Sequence, residues 1–221
     1  MLFNLTHKEL KLAERSIFSQ GGQDGVLEAI FNQISSGTKT FVEFGAGDGV
    51  HISNTANLRI NHGWEGLLLD AKPKSDLVKG EFITIWNIND LLSEKNIGSI
   101  MYLSIDIDGN DLWVWDAIVK KPRVVTIEFN SKFKNDESYS ITHNINHEWD
   151  GDDYYGASLL ALKKTGEKKG YTLVHVIESL DAVFIRNGLI SPDYVAPTLD
   201  ELFPEPKIVF DNKNNNKWVI V

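Results

Sequence analysis

Cysteine is absent from the 221-residue chain, which excludes disulfides, zinc–thiolate sites and a thiol nucleophile, and fits a reducing compartment. Long apolar runs are missing as well: the longest are strand-length, about 4 to 8 residues, against the roughly 18 that a membrane helix needs. The opening residues, Met1 to Phe18, are amphipathic and broken by charges, so they do not read as a signal-peptide core. The expectation is a cytoplasmic protein with no membrane partner. Positive charge is in deficit. Twenty-two Lys and Arg against 31 Asp and Glu leave a net charge of −9, which repels nucleic acid. Internal repeats are lacking, and apolar (42%) and charged (24%) fractions of ordinary globular size exclude disorder and a coiled coil as descriptions of the whole chain.

What is present is alternation. Leu5, Leu10, Leu12, Ile17 and Phe18 lie among charges and read as a peripheral N-terminal helix docked on the core. After Gly21 and Gly22, the residues Val26, Leu27, Ile30, Phe31 and Ile34 keep helical spacing, with Asp24 positioned as the cap. Strand and helix patterns then follow in turn: Thr40 to Phe44 extended, a Gly-rich turn, a helix through about Asn61, and Gly66 to Leu69 extended. Phe82 to Trp86 reads as the next strand, followed by a helix from Asp90, a strand from Ile100 to Ile105, a helix from Asp111 to Val119 and a strand from Val124 to Phe129. Short, continuously apolar strands joined by helical crossovers predict a doubly wound, mostly parallel α/β sheet with helices on both faces.

The second half differs. Ser131 to Asp153 is long, polar and rich in His, Asn, Asp and Trp, and reads as a structureless connection of the kind that serves as a lid or binding loop. A helix over Tyr154 to Lys169 precedes two strands, Tyr171 to Ile177 and Ala182 to Ile185, whose short polar turn Glu178 to Asp181 predicts an antiparallel hairpin at the sheet edge. Residues 191–217 hold four of the six prolines and the run DNKNNNK, and read as a surface tail before a last strand at Trp218 to Val221. The size fits one domain over 1–221: a helical extension at 1–18, a core at 19–188 and a tail at 189–221.

Three sets of residues point to chemistry. Val42-Glu43-Phe44-Gly45-Ala46-Gly47-Asp48-Gly49 places its glycines directly after the first strand, at the carboxyl end where open α/β sheets bind ligands. The position three after Gly47 is Val50, so the glycine spacing departs from the nicotinamide fingerprint G-x-G-x-x-G. Asp70, at the end of the second strand and roughly 20 residues on, can accept hydrogen bonds from a ribose diol; together with the glycine turn it implies an adenosine-containing ligand. The second set is acidic: Asp106 and Asp108 end one strand, and Glu128 and Asn130 end the next. In a 3-2-1-4-5 strand order these ends are neighbours, and carboxylates that close require protonation or neutralisation; their hard oxygens suit Mg²⁺, Mn²⁺ or Ca²⁺. Asp111, in the same stretch, reads as a cap of the following helix. The third set is the long loop with His143, His147, Trp149, Tyr154 and Tyr155, which offers a base near neutral pH and aromatic faces for a ring-shaped acceptor.

The series SQGGQDGVLEAIF, FVEFGAGDG, SNT, GWEGLLLDAKP, SIDIDGNDLWVWDAI, VVTIEFN, YYGASLLALKKTGEKKGYTLV and AVFIRNG, in that order over residues 19–188, resembles the FkbM-like family of class I S-adenosylmethionine-dependent methyltransferases. The resemblance implies a seven-stranded Rossmann-like sheet with the last strand antiparallel. It implies that Glu43, Gly45, Ala46 and Gly47 line the methionine and ribose part of the donor, that Asp70 holds the ribose hydroxyls, that Asn87 lies near adenine, and that Gln20, with Asp24, closes over the cofactor. Catechol and macrolide-sugar O-methyltransferases offer a second likeness, with divalent-metal ligands after the fourth and fifth strands. It implies a Mg²⁺ or Mn²⁺ site from Asp108, Glu128 and Asn130, with Asp106 at the cofactor and Asp106 or His147 as the base that takes the acceptor's proton. The pair Glu128 and Asn130 departs from that pattern by being separated rather than adjacent.

The expected reaction is therefore methyl transfer to a hydroxyl, with a small-molecule or glycan acceptor and a sugar favoured by the polar, aromatic loop. A non-catalytic S-adenosylmethionine-binding module, a nicotinamide oxidoreductase and a methyltransferase acting on protein or another small molecule are the competing readings. A homodimer is the base-rate expectation for assembly.

Overall fold

The computed structural model describes residues 1–35, 37–94, 98–204 and 217–221. Seven strands form one sheet: β1 (Thr40–Phe44), β2 (Glu65–Asp70), β3 (Lys79–Gly80), β4 (Tyr102–Ile105), β5 (Val124–Glu128), β7 (Tyr171–Ile177) and β8 (Asp181–Arg186), in the order β3-β2-β1-β4-β5-β8-β7. β1 to β5 pair in parallel, whereas β8 runs antiparallel to both β5 and β7. This is the expected doubly wound, mostly parallel fold, with the last strand of the sheet reversed.

Each strand sends alternate side chains to opposite faces. Val42, Phe44, Leu67, Leu69, Leu103, Ile105, Val125 and Ile127 pack with α4 (Ile88–Glu94), α5 (Asp111–Ala117) and α6 (Leu159–Lys169). Phe41, Leu68, Tyr102 and Val124 pack with α1 (His7–Ala13), α2 (Gln23–Ile34) and α3 (Ala56–His62). The second face also buries polar groups on neighbouring strands: Glu43 on β1, Ser104 on β4 and Thr126 on β5. Apolar helices alone cannot satisfy those: the loop before α3 bonds Glu43 and Ser104 through Ser53, Asn54 and Thr55, and Thr126 pairs with Tyr102 and Ser104 on β4.

α1 starts at a capping box, in which Thr6 and Glu9 satisfy each other's backbone N–H groups. The segment before it is anchored by buried Phe3, whose N–H donates to the carbonyl of Leu189. Among the described residues no helix is long and apolar enough to cross a membrane.

Several local expectations fail for physical reasons. The third strand is Lys79–Gly80, not Phe82 to Trp86, because the short edge ladder on β2 ends at Asp70 and the chain turns before α4 begins at Ile88. Asp24 does not cap α2; Gly22 stands at that position, and the Asp24 carboxylate instead accepts the N–H groups of Ile17, Phe18 and Ser19. Nor does Asp111 cap α5: it accepts from the N–H groups of Ile107 and Gly109, fastening the turn that precedes the helix. The helix expected from Tyr154 begins at Leu159, where Ser158 caps it through the N–H of Ala161.

The stretch from Ser131 to Asp153 contains a strand, β6 (Tyr139–Ile141), paired antiparallel with β9 (Trp218–Ile220) at the end of the chain. Its partner is distant in sequence, so local pattern could not reveal it. The tail is not all surface, since Leu202 and Phe203 are buried and Phe203 packs edge-on against Phe129 at 5.3 Å. Most of the DNKNNNK run lies outside the described residues.

Candidate active site

Parallel strands that all end at one side of a sheet bring their following loops together there. Here those loops enclose a cavity of about 790 Å³ lined by Gly45, Ala46 and Gly47 after β1, Asp70 after β2, Asp106 and Asp108 after β4, Glu128 at the end of β5 and Asp181 at the start of β8. Gln20 and Gln23 border it from the N-terminal side, and His147, Glu148 and Trp149 from the long loop.

The glycine turn is built for close approach. Gly45 has φ +74°, and a Cβ there would overlap the Asp106 carbonyl oxygen, so only glycine lets β1 and β4 come together at their ends. Gly47 has φ +57° with no heavy atom within 4 Å of a built Cβ. Its N–H donates to Asp70 Oδ2 at 2.8 Å, while Asp70 Oδ1 accepts from the N–H of Lys72 at 2.7 Å. Asp70 thus joins the ends of β1 and β2.

Three of the expected acids converge. Asp106, Asp108 and Glu128 each offer a carboxylate oxygen, all within 4.8 Å of one another. Asp108 has φ +54°, a left-handed conformation that Asp tolerates better than most residues. Burial pushes the Asp106 carboxyl well above the usual carboxylate range, and Asp181, Asp111, Asp108 and Glu43 push it further. Glu128 is raised by burial first and then by Asp106, and its Oε2 is buried with no hydrogen-bond partner. Asp108 is raised by burial and by Asp70, with His147 opposing. Asp111, just behind, is pushed up to about 6 by burial in spite of its two backbone bonds. Acidic groups this crowded would be relieved by a cation.

His147 reaches the cavity because Gly109 has no side chain: a Cβ there would lie 2.9 Å from His147 Nε2. Asn110 holds the loop in place, donating through Nδ2 to the Asn144 carbonyl at 2.8 Å and accepting the Asn144 N–H at 3.3 Å. His147 Nε2 is buried without a partner. On the far side Lys72 pairs with Glu148 at 2.7 Å, both exposed, and the Trp149 indole N–H donates to the Asp152 carbonyl at 2.6 Å. His143 turns away, edge-on to Trp86 at 5.3 Å.

Asp24, spent on the 17–19 backbone, does not line the cavity beside Gln20, and three more expected site residues are used elsewhere. Glu43 does not line the cavity; it lies beneath, where Ser53, Thr55 and the N–H of Asn54 donate to it, and burial raises its carboxyl. Asn87 accepts from the Thr84 N–H at 2.8 Å and donates to the Phe82 carbonyl at 2.9 Å, so its amide shapes the turn before α4 and does not reach the cavity. Asn130 is fully buried, donating to the carbonyls of Asp153 at 2.8 Å and Tyr155 at 3.0 Å, with its oxygen accepting the Lys132 N–H. Its amide holds the 153–155 backbone, and Asp106 stands with Asp108 and Glu128 instead.

Sequence reasoning missed Gln23, Asn54 and Asp181. Asp181 read as a turn residue, and its only sequence signal was an acid opening a strand that starts at the carboxyl side of the sheet.

No protein-family model matches the chain, and no curated protein matches it. Among solved structures, the N-terminal domain of EvdMO1, in the presence of SAH and D-fucose, is similar at a TM-score of 0.47 and 13% identity, over 81% of this chain and 94% of that one. The same domain with SAH bound gives a TM-score of 0.47 at 12% identity, over 81% of this chain and 94% of that one. The citrinin polyketide synthase CMeT domain gives 0.43 at 13%, over 74% of this chain and 51% of that one.

Proposed function

We propose that the chain is a class I S-adenosylmethionine-dependent O-methyltransferase that works with a divalent cation on a hydroxyl of a sugar or glycan. The observation that carries this reading is one cavity that joins a glycine turn, tied to Asp70, with three carboxylates within 4.8 Å of one another. The residues fit both groups. Open space beside Gly47 admits a ligand against the backbone, and Asp70 at the strand end suits a ribose diol. The unpartnered Oε2 of Glu128 amid raised carboxyls suits a hard cation, with Asp106, Asp108 and Glu128 as its oxygen donors.

Bound S-adenosylmethionine supplies an electrophilic methyl group on sulfonium, and bound Mg²⁺ or Mn²⁺ supplies charge that lowers an acceptor hydroxyl's pKa. The chain supplies the rest. Asp106 is accounted for as a cation ligand, which leaves His147 Nε2, buried and unpartnered, as the atom that takes the acceptor's proton. Trp149 and Phe82 border the cavity and offer faces to a ring-shaped acceptor. Positioning of donor and acceptor provides much of the remaining acceleration. The same reading puts the reaction in the cytoplasm, on an acceptor that is neither nucleic acid nor membrane.

Thermal unfolding with S-adenosylmethionine or S-adenosylhomocysteine, each with Mg²⁺ or with EDTA, and with NAD as control, tests the binding step. A ligand at about a hundred times its Kd stabilises by roughly 2.7 kcal/mol, a shift of several degrees. Transfer of a labelled methyl group to a panel of neutral sugars, lost with EDTA and slowed in His147→Gln, tests the chemistry. Stabilisation by NAD alone would overturn the reading, and donor binding without turnover on any acceptor would favour a non-catalytic module.

A further inference from the structure

Asp181 opens β8 directly opposite Glu128 in the antiparallel register. It is 3% exposed yet lines the cavity. Its Oδ2 accepts from Gln23 Nε2 at 2.8 Å and from Asn54 Nδ2 at 3.2 Å, which fixes the carboxylate from two sides. Among the described residues no donor reaches Oδ1. Both partners are neutral amides, and among the described residues no Lys, Arg or His pairs with this acid. A carboxylate taken out of water needs a cation or a full set of donors, and the described residues provide neither. Asp181 is also the neighbouring charge that weighs most on Asp106, so a positive group beside it would relieve both acids.

That positive group is not the divalent cation, because Asp181 stands outside the three carboxylates that approach one another within 4.8 Å. In the strand order, Asp70 and Asp181 lie on opposite sides of the glycine turn, with Gln20 and Gln23 on the Asp181 side of the cavity. A donor whose ribose meets Asp70 therefore extends its other end toward Asp181. Resting on the methyltransferase reading, we propose that Asp181 binds the α-ammonium of the donor's methionine part through Oδ1, with Gln23 and Asn54 as positioning residues that hold Oδ2. The chemistry matches: an ammonium brings N–H donors as well as charge.

The test is calorimetric titration of wild type, Asp181→Asn and Gln23→Ala with S-adenosylmethionine, with S-adenosylhomocysteine and with the latter's analogue lacking the α-amino group. Asp181→Asn is expected to weaken S-adenosylhomocysteine at least tenfold and to change the deamino analogue less than about twofold, so that the two ligands bind the variant alike. Gln23→Ala is expected to show the same selective loss in smaller measure, which keeps the proposal testable if Asp181→Asn does not fold. Equal weakening of both ligands would assign Asp181 a purely structural role and overturn the proposal. Loss for S-adenosylmethionine but not S-adenosylhomocysteine would move the contact to the sulfonium and overturn it too. Failure of wild type to bind S-adenosylhomocysteine would instead reject the methyltransferase reading itself.

Discussion

Two glycines in one turn offer a controlled comparison. Gly45 and Gly47 both have positive φ, +74° and +57°, so an alanine at either pays the same left-handed penalty, about 1 kcal/mol. Part of that is offset by about 0.4 to 1 kcal/mol from the stiffer unfolded chain. Only Gly45 faces an obstacle. A Cβ there lies 2.9 Å from the Asp106 carbonyl carbon and overlaps its oxygen, whereas one at Gly47 meets nothing within 4 Å. The obstacle is main chain just beyond the Phe44–Ile105 pair of β1 and β4, so no side-chain rotation relieves it and the strand ends must part. Overpacking of that kind adds about 1 to 3 kcal/mol or more. Gly47→Ala should therefore lower Tm by no more than about 2 °C, and Gly45→Ala by about 2 to 12 °C more than that, on the scale of about 2 to 4 °C per kcal/mol for a chain of this size. Differential scanning calorimetry on both variants decides the matter. Equal losses would refute the reasoning, because the close approach of the strand ends would then contribute nothing.

Two further outcomes follow from charge. Glu128 and Asp106 have folded pKa values raised above their unfolded ones, so the folded state holds protons that the unfolded state releases above about pH 4, and stability falls as pH rises from there. Glu128→Gln should gain stability over wild type at pH 8 relative to pH 5, measured by urea midpoints; a pH-independent difference would reject the acid cluster as the cause. His175 has the opposite sign: fully buried, its Nε2 bonded to Glu14 at 2.9 Å and its Nδ1 to His7 Nδ1 at 2.7 Å, it is held below its usual pKa first by burial. The stability of its neutral form is complete above about pH 6.5 and is lost as pH falls below that. His175→Asn should show a smaller drop in Tm between pH 7 and pH 5 than wild type, and an unchanged drop would count against it.

Residues that act through local pattern were legible in the sequence. Val42, Phe44, Leu67, Leu69, Leu103 and Ile105 announce buried parallel strands because a covered sheet requires apolar runs, and the glycines after β1 mark the ligand edge because backbone must come close there. The convergence of Asp106, Asp108 and Glu128 followed from strand order, since adjacent parallel strands end side by side. What the sequence left open was which polar side chains face the cavity and which are spent on the backbone. Glu43, Asn87 and Asn130 look like ligands when read along the chain, but Asn54, Phe82 and the 153–155 segment have unpaired backbone groups that claim them. Asp181 looks like a turn and becomes a cavity residue because β8 inserts antiparallel beside β5. β6 has no partner until the chain returns with β9. The sequence by itself determined the alternation of elements and the edge at which chemistry occurs, because periodicity and glycine conformation are local. Only the tertiary structure decided the members of the site, because a buried polar group bonds to whatever donor or acceptor the fold brings within reach, at any distance along the chain.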